Sequence, residues 1–180
     1  LEDGDFDILK KHGVTVACCP ASNLKLASGY ANVPKLLESV INLALGTDGA
    51  ASNNNLNIMQ DMYLFGVVYK GFFRDSTLIT PAEVLHAATR AGALSQGRED
   101  SGRLAVGMRA DLCAINTDTP QFTPMTDAAC NVVYAAQGAD IRMTMVDGEV
   151  LYRDGVFTTI DIEKVKAEVQ RRTDSILSRL

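Results

Sequence analysis

The sequence predicts an α/β chain: the last units of a (β/α)8 TIM-type barrel, followed by a small antiparallel β module and a terminal helix. Three observations carry this. Two unbroken apolar runs, "VTVACC" (14–19) and "VINLALG" (40–46), each stand between helical patterns. Runs of that kind suit strands covered on both faces, as in a parallel sheet. The second half contains an Asp147-Gly148 turn between alternating apolar stretches, the signal of a hairpin. The chain has 180 residues, whereas a closed eight-unit barrel takes about 250, so the first half reads as the end of a barrel.

The elements follow in order. Residues 3–12 form a helix that Asp3 or Asp5 can cap, with Phe6, Ile8 and Leu9 on its apolar face and Gly13 as its stop. The first strand, 14–19, ends at Pro20, and "PASNLKLASG" (20–29) reads as a polar loop. A short helix over 33–39 tolerates Pro34 in its first turn. The second strand, 40–46, leads to Asp48. A long amphipathic helix over 55–70 presents Leu56, Met59, Met62, Tyr63, Phe65 and Gly66 near the helical period. The helix over 80–93 has Thr80 at the N-cap, Pro81 at N1 and Glu83 at N3, as in a capping box. After Gly97 the texture changes. "ADLCAIN" (110–116), "CNVVYAA" (130–136) and the hairpin over 141–156 make up the β module, and a helix from about Asp161 to Leu180 closes the chain. The expected division is 1–97 for the barrel part, 98–157 for the β module and 158–180 for the terminal helix.

Composition narrows the function. Hydrophobic residues make up 47% and charged residues 22%, ordinary for a soluble globular chain. A net charge of -5 argues against a nucleic-acid groove, which needs clustered Lys and Arg. No apolar run reaches the roughly 18 residues of a membrane span, and no signal-peptide pattern opens the chain. Cys18, Cys19, Cys113 and Cys130 form no C-x-x-C pair and lie in apolar surroundings, so the expectation is buried free thiols in a reducing cytoplasm. A redox or metal role for the vicinal pair Cys18–Cys19 is the alternative. The chain opens on Leu1, as a fragment, a processed product or an incomplete piece would.

Asp48 is the first candidate for chemistry. In parallel α/β architectures functional side chains stand at the C-terminal ends of strands, and Asp48 follows such an end. A carboxylate there can bind a metal and accept a proton from a metal-activated water. It can equally cap the turn through "GAASN". Ser22, Asn23 and Lys25 in the first loop, and Ser52 and Asn53 in the second, can face a polar substrate or build turns. His12 and His86 sit on helices and read as structural or exposed. No H-x-H, H-E-x-x-H, G-x-S-x-G or glycine-rich phosphate loop is present.

Five segments in order, "PASNLKLASG", "LALGTDGAASNN", "TPAEVLHAATRAGA", "GRLAVGMRADL" and "VDGEVL", resemble the amidohydrolase superfamily. The branch they look most similar to is that of 5-methylthioadenosine/S-adenosylhomocysteine deaminases and related chlorohydrolase-like aminohydrolases. The resemblance covers essentially the whole chain. It implies a (β/α)8 barrel with a mononuclear metal site, plus a small β-sandwich built from both chain ends. In that family the metal is held by an H-x-H pair, a further histidine and an aspartate after the eighth strand, with a glutamate and another histidine assisting. By motif, Asp48 is that aspartate, which makes it both metal ligand and catalytic proton acceptor, and "VTVACC" and "VINLALG" are the seventh and eighth strands. The histidine ligands and the glutamate have no counterpart here and would lie before Leu1. Cys18 stands where many relatives carry a histidine in a V-x-H-x-P-x-S-N pattern.

The resemblance therefore implies the C-terminal portion of a hydrolase that deaminates an aminopurine-type substrate and releases ammonia, using one divalent ion, Zn or Fe. The 180 residues alone are expected to bind no metal and to lack activity. The implied partners are the small-molecule substrate, the N-terminal remainder of the same enzyme and further copies in a homo-oligomer, with no nucleic acid and no membrane. The alternatives are a chlorohydrolase- or guanine-deaminase-like enzyme, or a non-catalytic fragment that oligomerises through open strand edges.

Overall fold

A computed structural model describes residues 1–179. Helix α1 (Asp3–Lys11) opens the chain, and the Asp5 carboxylate accepts from Glu2 N at 2.7 Å, meeting one of the free N–H groups of the first turn. Strand β1 (Val16–Cys18) follows. Next comes helix α2 (Pro20–Lys25), where the sequence predicts a loop. Pro20 at N1 has no N–H to leave unpaired and its φ is already helical, so a Pro-Ala-Ser-Asn start winds readily once the turn is anchored. Helix α3 (Val33–Glu38) buries Val33 and Leu36. Strand β2 (Leu43–Leu45) is buried throughout, as an unbroken apolar run requires. It pairs parallel with β1, with Val16, Ala17 and Cys18 opposite Leu43, Ala44 and Leu45.

Helix α4 (Ala50–Asn53) is a single turn after Asp48. Helix α5 (Ile58–Phe73) starts later than its expected 55–70 span because Asn57 caps it by accepting from Met59 N, and it runs on to a left-handed Arg74 at its C-terminus. The helix expected over 80–93 is two: α6 (Pro81–Ala88) and α7 (Arg90–Ser95). The capping box predicted at Thr80 and Glu83 is present, with Thr80 N donating to Glu83 Oε2 at 2.6 Å. The break lies at Thr89, whose ψ of -86° leaves the helical region. It turns Arg90 toward the loop beyond, where Arg90 Nη1 donates to Glu99 O and Ser101 O at 2.8 and 2.7 Å. Gly102 passes so close that an added Cβ would lie 2.8 Å from Arg90 Cα.

Strand β3 (Leu112–Ile115) comes next. "CNVVYAA" is not a strand but helix α8 (Ala128–Tyr134), capped by Asp127, which accepts from Cys130 N at 2.8 Å. Val133 and Ala136 pack into the core shared with α5 and α6, so tertiary burial overrides the β-branched composition. Strands β4 (Ile141–Val146), β5 (Glu149–Arg153) and β6 (Val156–Phe157) complete one antiparallel sheet in the order β3-β4-β5-β6. The β4–β5 turn has positive φ at Asp147 and Gly148, as the hairpin signal requires. A second Asp-Gly turn, 154–155, with φ of 47° and 89°, joins β5 to β6. Among the described residues the expected β module is this single four-stranded sheet, and the run expected as a further strand is α8. Helix α9 (Ile162–Leu177) is capped by Asp161 and buries none of its residues.

The core lies between the parallel pair and α5, α6 and α8. Phe65, Tyr69, Val84 and Val133 are each 2% exposed or less. Gly66 admits Tyr134 closely, since a Cβ there would meet its Cε1 at 3.1 Å.

Candidate functional site

Parallel pairing brings the C-terminal ends of β1 and β2 to one side, with Gly46 N donating to Cys18 O at 2.9 Å. Two short helices start there: α2 directly after β1 and α4 directly after Asp48. Asp48 adopts φ +61°, a left-handed conformation that aspartate tolerates better than most residues. Its exposed carboxylate accepts from Ser22 Oγ at 2.7 Å through Oδ2 and from Gly49 N at 2.7 Å through Oδ1. The Ser22 hydroxyl first, then the Ser52 hydroxyl and the Gly49 N–H, hold its carboxyl below the usual carboxylate range. Hydrogen bonds to the charged form have that effect, so Asp48 is ionised at neutral pH.

The other predicted residues gather on the same two loops. Ser22 is buried and linked to Asp48 as above. Asn23 is half-buried on α2. Lys25, at the end of α2, hydrogen-bonds the Asn54 side chain just past α4. Ser52 Oγ donates to Gly49 O at 3.0 Å. Asn53 is buried, and its Nδ2 donates to Thr47 O at 2.7 Å and to Asp61 Oδ2 at 3.2 Å. The structure thus joins Ser22 to the Asp48 carboxylate, ties Ser52 to the turn that follows it, and turns the Asn53 amide inward. His12 and His86 are both exposed on the surface.

Cys18 is 1% exposed, with Sγ 3.2 Å from Tyr69 Oη. Burial pushes its thiol up to about 11. Burial raises Cys19 too, with the Asp48 charge adding to it. Neither is a thiolate at neutral pH, which speaks against a redox-active vicinal pair. The expectation of buried thiols is corrected at Cys113, which is exposed in the middle of β3; all four cysteines are free.

Sequence reasoning missed Asp61. It is fully buried on α5, its Oδ1 accepts from Ala21 N at 3.0 Å, and its Oδ2 accepts from Asn53. Ala21 is the second residue of α2, so Asp61 caps that helix from across the core. This explains why "PASNLK" is helical. The signal was present: Ile58, Asp61, Phe65 and Tyr69 share one helical face, and a carboxylate on that face cannot reach solvent.

A divalent cation fits Asp48 as one of its ligands. The carboxylate is ionised, stands open at the strand ends, and has lone pairs beyond the two engaged by Ser22 and Gly49. Among the described residues no group of three or more His, Cys, Asp or Glu comes together that could hold a metal. A zinc site takes at least three protein ligands.

The amidohydrolase family profile matches residues 1–151. The chain is 43% identical over 171 residues to a 5-methylthioadenosine/S-adenosylhomocysteine deaminase of Nitratidesulfovibrio vulgaris, covering 95% of this chain and 39% of that protein. It is 40% identical over 180 residues to a 5'-deoxyadenosine deaminase of Methanosarcina mazei, covering 100% of this chain and 41% of that protein. The crystal structure of an adenosine deaminase from Xanthomonas campestris with bound zinc superposes with a TM-score of 0.95 at 30% identity, over 99% of this chain and 41% of that one. The chain thus spans about two fifths of the length of these relatives.

Proposed function

Since the chain belongs to the amidohydrolase family, we propose that it is the C-terminal part of a metal-dependent hydrolase that deaminates an adenine-type nucleoside and releases ammonia. 5-Methylthioadenosine, S-adenosylhomocysteine and 5'-deoxyadenosine are the substrates to try, since relatives bearing those names align over nearly all of these residues. The observation that carries the reading is Asp48: an ionised, exposed carboxylate at the C-terminal end of a buried parallel strand, where barrel enzymes place their catalytic groups.

In this reading Asp48 is one ligand of a single divalent ion, with zinc the first candidate, and polypeptide outside these 180 residues supplies the others. The ion, when bound, supplies the acidity that makes water a nucleophile near neutral pH. The Ser22 hydroxyl and the Gly49 N–H orient Asp48 and keep it charged, which suits a ligand. A carboxylate held below its usual range is a weak base, so a proton that Asp48 accepts from water at a carboxylate oxygen is readily passed on to the departing amine. Ser22, Asn23, Lys25 and Ser52 border the mouth and are proposed to meet the substrate's polar groups, with Asn53 supporting the loop from behind. Residues 1–97 belong to the barrel in this proposal, and residues 98–157 and 158–180 to the appended β module and terminal helix.

The test uses the full-length enzyme. Ammonia release from the three nucleosides is expected, to be abolished by chelation and restored by zinc. Asp48→Asn is expected to lower kcat by about 10²–10⁴-fold. Activity that survives both chelation and Asp48→Asn would overturn the proposal.

A further inference from the structure

We propose that Asp61 is a positioning residue for Asp48, tying the two strand-end loops together from beneath so that the Asp48 carboxylate is held in its ligating direction. This rests on the reading of Asp48 as a metal ligand.

Two paths run from Asp61 to Asp48. On one, Oδ1 accepts from Ala21 N at 3.0 Å and fixes the first turn of α2. The next residue, Ser22, donates to Asp48 Oδ2 at 2.7 Å. On the other, Oδ2 accepts from Asn53 Nδ2 at 3.2 Å, and the same amide donates to Thr47 O at 2.7 Å, on the peptide preceding Asp48. One buried side chain thus sets both the hydrogen-bond donor to Asp48 and the backbone that aims it.

That backbone needs holding. Asp48 lies at φ +61°, and left-handed non-glycine residues persist where surrounding structure over-determines them. A buried carboxylate is costly unless its oxygens are satisfied. Burial raises the Asp61 carboxyl above its usual range, offset in part by the Ala21 and Asn53 donors. Carboxylate and loops therefore constrain each other: if the donors move, Asp61 loses its partners, and if Asp61 is changed, both loops lose a shared anchor. Substitutions of groups that orient a metal ligand typically cost 10–100-fold in metal affinity or activity.

The experiment compares Asp61→Asn and Asp61→Glu with wild type in the full-length enzyme. Zinc affinity is read by chelator competition, kcat and KM by ammonia release, and folding by thermal melting. Asp61→Asn presents an amide donor to one of two donors, so a folded variant is expected to bind zinc 10–100-fold more weakly. Its kcat is expected to fall by a similar factor with KM changed less than about threefold, and Asp61→Glu is expected to recover part of both. Zinc affinity and kcat within twofold of wild type in folded Asp61→Asn would overturn the proposal. Should that variant not fold, Asn53→Ala cuts the second path and is judged by the same criteria. A wild-type enzyme that binds zinc but releases no ammonia would sink the deaminase reading, while the zinc affinities would still decide the role of Asp61.

Discussion

Asp111 shows how a single carboxylate can tie the β4–β5 turn to the segment that leads into β3. It accepts from Asp147 N at 2.7 Å in the β4–β5 turn and from Ser101 Oγ at 3.2 Å. Arg98 and Arg109 stand 3.5 and 3.6 Å away. The Asp147 N–H above all, then the Ser101 hydroxyl and the two guanidinium groups, hold its carboxyl below the usual range. A carboxyl lowered on folding contributes stability that is present above its unfolded pKa, near 3.9, and is lost as pH falls through its folded value. Asp111→Asn in the full-length enzyme is therefore expected to melt lower at pH 7 and to lose less than wild type on acidification below about pH 4. Melting curves from pH 3 to 7 check this; a gap between the two proteins that stays constant across the series would contradict it.

Helices α5 and α6 carry the element-scale argument. Phe65 of α5, at 1% exposure, and Val84 of α6 belong to the same buried cluster as Leu43 and Leu45 of β2. Truncating Phe65→Ala is expected to cost about 3–5 kcal/mol, combining lost burial with a cavity. Thr80→Ala, which removes the acceptor of the α6 capping box, is expected to cost about 1 kcal/mol. Denaturant unfolding of the full-length enzyme separates the two. Equal losses would mean that α6 is held by its cap as much as α5 is by its packing. The α6 boundary was legible because a cap is a local pattern: Thr, Pro and Glu at fixed offsets. The break at Thr89 was not, because it depends on Gly102, thirteen residues on, approaching Arg90 to within contact.

At the scale of the whole molecule, much apolar surface stays open. Strand β1 pairs only with β2 among the described residues. Ile162, Val165, Val169 and Ile176 of α9 are each more than a third exposed. Open strand edges and apolar stripes recruit partners. The 180 residues produced alone are expected to associate, with a sedimentation coefficient that rises with concentration, and to bind no stoichiometric zinc. A concentration-independent monomer would contradict the first expectation, and one tightly held zinc per chain the second. No helix among the described residues is long and apolar enough to cross a membrane.

The sequence by itself determined the parallel strand pair, the hairpin at Asp147-Gly148, the capped start of α6 and the place of Asp48 at a strand end. Each is written in neighbouring residues, as an apolar run, a turn dipeptide or a cap. The second hairpin at Asp154-Gly155 was equally local and equally readable. Tertiary structure alone decided that "PASNLK" and "CNVVYAA" are helical. The first is capped by Asp61 from across the core, and the second buries Val133 against α5 and α6. It also decided which polar residues surround Asp48. Ser22 lies 26 positions from Asp48 and Asp61 lies 40 from Ala21, and hydrogen bonds at such separations exist only once the strands have paired and α5 has packed beneath them.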